Sequence, residues 1–457
     1  MPTVNDWAQQ QWSKAALGDQ RRTRRAVALG AEMAARPAAG LPGQTQSWAD
    51  LKAAYRLLHE DDVTHAALSS PHWRQTRDSA TQAHGPVLFV QDGSQLDFTM
   101  HDAKGLGRIG DERGRGILIH STLALLPGDP VTVLGLAHQL PWVRDGEPHK
   151  PRETRSQRAR RSDRESAHWF SVLEAIGRVP DGACWVSVGD RESDIFAYWE
   201  KARELGWECL LRLAHSRRIL REDDSVDHLF DWARQLSSQA CQPMALRTRP
   251  DRAARTAVLS MAWAGTRVLA PRNDPALHDH APLPVWVLRV WEDTVPAGEP
   301  PLEWLLLSTL PIENAAQARE RADWYRHRWI IEQYHKALKT GCGMEQSQLH
   351  DAHALTRLLG LLSIVAVHLL QVETLARSVP DLPASQAVDW QLLEFLCRLR
   401  QMDPANMTVY QFWREVAKLG GFLARKRDGE PGWQTLWRGW HYLYPRFEGY
   451  LLAQKCG

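Results

Sequence analysis

The sequence predicts an α/β protein: a mixed sheet with a mostly β insertion, flanked by helical N- and C-terminal regions. Three observations predict it. From Val87 to Ala214, short apolar runs end in turn residues and then alternate with helical stretches, as in a mixed sheet. Residues 216–312 return to alternating segments joined by Pro-rich loops. Residues 1–70 and 345–457 space their apolar side chains helically. The 457-residue chain therefore divides into a helical region at 1–70, a core at 71–344 with its insertion at 216–312, and a helical region at 345–457.

In chain order, Ala26 to Ala35 and Trp48 to Leu58 read as helices, with a Pro/Gly break from Pro37 to Gly43 between them. Arg21 to Arg25 opens the first; a small helical module with an arginine cluster suits a DNA reader and a helical cap alike. Pro86 to Val90 is an apolar strand that ends at Gln91-Asp92, and Asp97 lies beyond it, exposed. Ile117 to Leu126 and Val131 to Leu140 are strands separated by the turn Pro127-Gly128-Asp129-Pro130. Gly105-Leu106-Gly107-Arg108-Ile109-Gly110 has the spacing of a dinucleotide fingerprint, but a strand follows it where a helix is needed, so it reads as a loop.

Ser166 to Ile176 is helical, and Ala183 to Val188 is a buried strand ending in Gly189-Asp190. Asp194 to Leu205 is a helix for which Asp194 is the expected N-cap, and Glu208 to Ala214 is a further strand. Ala257 to Leu269 and Val285 to Val290 are strands of the insertion. His278-Asp279-His280 has no third ligand near it and reads as a solvated loop. Leu355 to Leu375, Leu392 to Leu399 and Val409 to Leu419 are the C-terminal helices.

Net charge is only +2, yet basic residues cluster: Arg21 to Arg25, Lys150 to Arg164, Arg217 to Arg221, Arg247 to Arg255 and Arg425 to Arg427. Discrete patches on a near-neutral chain suit a polyanion touched along several surfaces, although any single patch is ordinarily solvated surface. The six cysteines form no CxxC pair, which argues against a disulfide framework or a structural zinc site and fits a reducing compartment. Met1 to Trp12 has no apolar core of a signal peptide, and the apolar run Leu358 to Leu370 reads as a buried helix and not a membrane span.

On a helix turning about 100° per residue, Tyr325, Arg328, Glu332 and Lys339 share an arc of roughly 60°. Ile330, Ile331, Tyr334, Ala337 and Leu338 fall opposite. Such charged faces are usually solvated surface, so the carboxylate needs partners before it means more. Asp92 and Asp190 are candidates, since each follows an apolar strand, and functional groups gather at the carboxyl ends of strands. If those strands are parallel neighbours, two like charges sit side by side, which is costly unless a cation neutralises them. With Glu332 they form a hard oxygen set suited to Mg²⁺ or Mn²⁺. Two such ions, about 3.5–4 Å apart, can activate water and stabilise a leaving oxygen in phosphoryl displacement.

These residues together resemble a DDE-superfamily transposase with a ribonuclease-H-like core, of the cut-and-paste bacterial insertion-sequence group. Tyr325, Arg328, Glu332 and Lys339 match that group's Tyr-Arg-Glu-Lys spacing. Gln91-Asp92-Gly93-Ser94 is similar to the segment of its first catalytic aspartate, and Gly189-Asp190-Arg191-Glu192-Ser193-Asp194-Ile195 to that of its second. The likeness extends to Ala16-Leu17-Gly18-Asp19-Gln20-Arg21-Arg22-Thr23 and to Leu419-Gly420-Gly421-Phe422.

The resemblance implies a ribonuclease-H-like mixed sheet core, with Asp92, Asp190 and Glu332 as catalytic metal ligands for two Mg²⁺ or Mn²⁺ ions. It implies cleavage at element ends through a hairpin, then strand transfer to target DNA. Tyr325, Arg328 and Lys339 would hold phosphate beside the cut, Trp304 would stack on a flipped base, and Arg212 with Arg21 and Arg22 would contact DNA. Without the resemblance, Trp304 at the start of an apolar strand reads as core and Arg212 as a surface charge. The implied partners are double-stranded DNA (terminal inverted repeats and target) and a second copy in a synaptic homodimer formed by the C-terminal region. The implied place is the bacterial cytoplasm, at the nucleoid, with no membrane. A catalytically inactive DNA-binding or inhibitory relative, and a nuclease of the same fold without strand transfer, are the alternatives.

Overall fold

The computed structural model describes residues 4–37, 39–111, 113–144, 167–246, 255–272, 274–296, 298–299, 301–425 and 428–456. The basic stretch Lys150 to Arg164, most of Arg247 to Arg255, and Lys426 with Arg427 lie outside the described residues. The chain runs α1 (Val4–Trp12), α2 (Gln20–Ala35), α3 (Leu41–Gln44), α4 (Trp48–His59), α5 (His65–Gln82), β1 (Pro86–Asp97), β2 (Gly107–Ile109), β3 (Gly114–Leu126), β4 (Thr132–Trp142) and α6 (Ala167–Ile176). It continues β5 (Cys184–Gly189), α7 (Phe196–Glu204), β6 (Glu208–Arg212), β7 (Arg218–Leu220), β8 (Val226–His228), α8 (Leu229–Gln235), β9 (Ala240–Leu246), β10 (Arg255–Val268), β11 (Leu283–Glu292) and β12 (Glu303–Ser308). It closes with α9 (Ala315–Arg326), α10 (Trp329–Lys336), α11 (Ala352–Ser378), α12 (Trp390–Arg400), α13 (Val409–Leu419) and α14 (Trp433–Cys456).

Two compact units form, and they cut across the three consecutive blocks read from the sequence. The first is Met1–Ser79, Gly93–Lys150 and Glu332–Gly457; the second is Ala80–Asp92 and Pro151–Ile331. Strand β1 contributes its first half to the second unit and the rest to the first.

The second unit is built on a mixed sheet. Its strand order is β1-β5-β6-β12-β11-β10-β7-β8, with β9 on β10. β1, β5 and β6 are parallel, and β12, β11 and β10 join antiparallel to β6 and to one another. The segment 216–312 is thus a continuation of the sheet through the β6–β12 pair. Parallel strands buried on both faces read as continuous apolar runs, and Val87 to Val90 and Trp185 to Val188 are buried along their length. The core side chain Phe89 packs its ring 4.9 Å from Trp185 and 4.7 Å from Trp207.

The first unit joins helices to a smaller antiparallel arrangement. β2 pairs with β3 at Gly114 to Gly116, and β4 pairs with it along most of the rest of its length. Gly107–Ile109, inside the glycine-rich segment read as a loop, is that short strand β2. α11 packs on β4, and Gln371 donates its amide to the Val133 and Leu134 carbonyls. At 27 residues α11 is longer than the apolar run read from the sequence, and Ala352–Val372 is long and apolar enough to cross a membrane. Most of that window is buried inside the protein, as in the central helix of a packed core. The C-terminal helices surround Leu396, Phe412, Val416 and Leu443, and Thr408 with Gln411 forms a capping box that starts α13 at Val409.

Candidate active site

β1 and β5 are parallel neighbours in register from Pro86↔Cys184 to Val90↔Val188. Asp92 and Asp190 each stand two residues past that last pair, at the same end of two adjacent parallel strands. The expectation of neighbouring strands holds in detail, with one difference. β1 continues through Asp92 to Asp97, so Asp92 sits within a strand and only Asp190 at a strand end. Asp97 is exposed, as expected, but on the strand and not past it.

Two polar devices fix these carboxylates. Gln91 points away from Asp92 into the core, where its amide donates to Ser187 Oγ (3.2 Å) and Tyr198 Oη (3.0 Å). That network ties β1, β5 and α7 together without a charge, because burial pushes the Tyr198 phenol far above its usual range. Asp190 accepts the Glu192 amide at 2.8 Å, capping the tight turn Arg191–Ser193. Gly189 is needed there: a Cβ would lie 2.4 Å from Ser193 Oγ.

Asp194 is not the N-cap of α7; Ile195 is, and it makes no side-chain cap. The Asp194 carboxylate is wholly buried and accepts the Ala214 amide (2.7 Å), the His215 amide (2.8 Å) and the Arg217 guanidinium (2.6 Å). Arg217 in turn lies 4.6 Å over the Trp199 ring. The turn that carries Asp190 is therefore clamped to the segment after β6. The sequence reads this aspartate only as a helix cap, with no sign of its partners at 214 to 217.

The tyrosine–arginine–glutamate–lysine motif does not lie on one helix. α9 ends at Arg326, the chain turns tightly at His327 and Arg328, α10 begins at Trp329, and Lys339 falls in a π-helical turn, Ala337–Gly341. Ile330 and Ile331 donate to the carbonyls three residues back, at 3.0 and 3.2 Å, which marks the break. Counting at a constant angle fails across such a break. Of the side expected to be apolar, Ile331, Tyr334, Ala337 and Leu338 are buried and Ile330 is half-buried, but Tyr325 is buried as well.

In the second unit the matched residues come together. Arg328 donates to Asp92 Oδ2 at 3.1 Å, and both side chains are mostly buried. Tyr325 packs edge-on against half-buried Trp304, with ring centroids 5.7 Å apart. Burial raises the Tyr325 pKa, against the pull of Arg328 and Arg212, and Asp190 lies close enough to add to the rise. Arg212 also donates to the Glu303 carbonyl, and the Glu303 carboxylate is gripped by Arg234 (2.7 Å) and Arg289 (3.0 Å). Asp92, Asp190, Arg212, Trp304, Tyr325 and Arg328 are thus one neighbourhood.

Glu332 and Lys339 belong to the first unit. Lys339 lies 3.9 Å from Glu345, which accepts the Asp97 amide at 3.0 Å; hydrogen bonds from the Thr99 hydroxyl and amide, with a smaller pull from Lys339, hold Asp97 below its usual pKa. Among the described residues no group of three or more His, Cys, Asp or Glu side chains is gathered in a metal-holding array. His278 and His280 are engaged by Asp279 and Glu200, as suits a solvated loop. In the N-terminal helices Arg22 is committed to Glu60 and Asp62, and Arg25 to Asp50. Arg21 is exposed on the same helix.

Comparison with known families gives two matches. Residues 4–63 match the transposase DNA-binding family, and residues 156–367 match the transposase DDE domain. The chain thus carries a transposase DNA-binding domain ahead of a transposase DDE domain, a class of domain that generally uses divalent metal ions.

Proposed function

We propose, for a chain that joins a transposase DNA-binding domain to a DDE domain, that it is a DNA transposase that cleaves the ends of its element through a hairpin and transfers the freed strand to target DNA. The observation that carries this reading is the matched placement of Asp92 and Asp190 on adjacent parallel strands, with Arg328 bonded to Asp92. With Glu332 these carboxylates offer only hard oxygen donors, a set that fits Mg²⁺ or Mn²⁺. When bound, such ions supply Lewis acidity toward the phosphodiester and lower the pKa of a water nucleophile.

The chain's own residues do the rest. Arg328, held by Asp92, offers a planar fork to a phosphate at the cut, and Lys339 offers a point charge. Tyr325 keeps its proton and can donate to a phosphate oxygen without adding charge. Trp304, wedged against Tyr325, presents an aromatic face on which a displaced base can stack in place of its lost neighbour. Arg21 and the 4–63 region engage the element end.

The test uses duplexes carrying the ends of the DNA that flanks the gene, incubated with the protein in Mg²⁺ or EDTA, with a supercoiled target added. Magnesium-dependent nicks, hairpins and joined products support the reading. Free ends without joined product would instead make it a nuclease of the same fold, and binding without cleavage an inactive relative. Trp304→Ala is expected to slow hairpin formation about tenfold more than the first nick, on the scale of one lost base stack. Equal slowing of both steps would remove the stacking role.

A further inference from the structure

One buried side chain of the first unit stands out, and its meaning rests on the reading of Glu332 just given. Gln139 on β4 is 1% exposed, yet it is a polar residue in an apolar strand. Its Nε2 donates to Tyr334 Oη (2.9 Å) and to Ser121 Oγ (3.1 Å). Its Oε1 accepts Ser363 Oγ (2.6 Å) and faces His65 Nε2 at 2.9 Å. An amide has two donors and two acceptor sites, so the whole capacity of Gln139 is used. The four partners come from four elements: α10, β3, α11 and α5.

Four directed hydrogen bonds from four elements make this a fixed connection. Burial lowers the His65 pKa to about 4, so the ring is neutral near pH 7, and its one N–H serves the Gln139 oxygen. The Tyr334 hydroxyl oxygen accepts from the Gln139 amide. Buried networks with every member satisfied rigidify their surroundings.

Tyr334 is the link to the chemistry. It lies on α10 two residues after Glu332, and Lys339 follows in the π turn. α10 has only 8 residues, with a break before it and a π turn after it. So short a helix has little rigidity of its own, and its rotation must come from packing.

We propose that Gln139 is a positioning residue that, through Tyr334, sets the rotation of α10 and so the direction in which Glu332 and Lys339 meet metal and DNA. The signature is a change in metal affinity, because supporting partners behind a metal ligand are worth about ten- to a hundredfold in affinity.

The experiment titrates Mn²⁺ into the full-length protein bound to an element-end duplex, read by the paramagnetic resonance of free Mn²⁺. Tyr334→Phe keeps the ring and removes only the hydroxyl; Gln139→Leu removes the hub. Both are expected to weaken Mn²⁺ binding about tenfold, with duplex affinity in EDTA unchanged. The double variant should be no weaker than the worse single, since one connection is cut twice. Should Gln139→Leu fail to fold, Tyr334→Phe carries the test alone.

A lower melting temperature with unchanged Mn²⁺ affinity in Tyr334→Phe would show ordinary core packing and overturn the proposal. Glu332→Gln is the control. If it loses Mn²⁺ affinity and Tyr334→Phe does not, only the positioning role fails. If Glu332→Gln binds Mn²⁺ as the parent does, the metal reading of Glu332 fails, and the positioning role falls with it.

Discussion

The two units hold their interiors by different means. In the first, four histidines, His65, His72, His138 and His368, have pKa values lowered to about 4 by burial, and among the described residues the one buried carboxylate in its ion pairs is Glu415, held by Arg400 and Lys418. In the second, the neutral Gln91–Ser187–Tyr198 network is joined by ion pairs: Asp194 with Arg217, Glu303 with Arg234 and Arg289, Glu292 and Glu299 with Arg255, and Asp92 with Arg328. Neutral networks ignore salt and fail when a member must take a proton. Ion pairs tolerate mild acid and fail when one partner is removed. A strand-and-phosphate chemistry needs arginines near its carboxylates, whereas a scaffold for a short helix needs only direction.

Acid should separate the units most strongly. Each of the four histidines binds a proton more readily unfolded (pKa about 6.5) than folded (about 4). The unfolded state therefore carries more protons in that window, so stability is full above about pH 6.5 and is lost as pH falls toward 4. At pH 5 each lowered pKa removes on the order of 2 kcal/mol. Hydrogen exchange at pH 7 and pH 5 is expected to show β4 and α11 losing protection well before β10 and β11. Equal loss in both units would break the comparison.

Breaking a clamp should harm the second unit. Asp194→Ala leaves Arg217 without its counter-charge and two amides without their acceptor, at a cost of about 3–5 kcal/mol in a denaturant melt. A cost below about 1 kcal/mol would mean that water replaces the carboxylate. Glu303→Gln is the milder case, since Arg234 is half exposed, and about 1 kcal/mol is expected, shrinking further in high salt. A salt-independent loss would assign Glu303 to packing instead of charge.

The sequence disclosed what periodicity and chain order can carry. β1, β5 and β6 announced themselves as apolar runs, and α13 begins and ends where its pattern does, at Val409 and Leu419. Asp92 and Asp190 were found because each follows such a run. What stayed hidden depends on tertiary partners. Asp194 looks like a helix cap until residues 214 to 217 fold onto it, and no spacing rule foretells a partner twenty residues away. The break at His327 and Arg328 carries no proline or glycine to announce it. Gln139 showed only as one polar residue in an apolar strand, a sign that becomes legible once its four partners are known.

The most direct test of the central claim is single-turnover nicking of a labelled element-end duplex in Mg²⁺ by the parent protein and by Asp92→Ala, Asp190→Ala and Glu332→Ala, with duplex affinity measured in parallel. The three-acid reading predicts that each variant binds the duplex as the parent does and that nicking is lost in all three. Retained nicking in any one of them would contradict it.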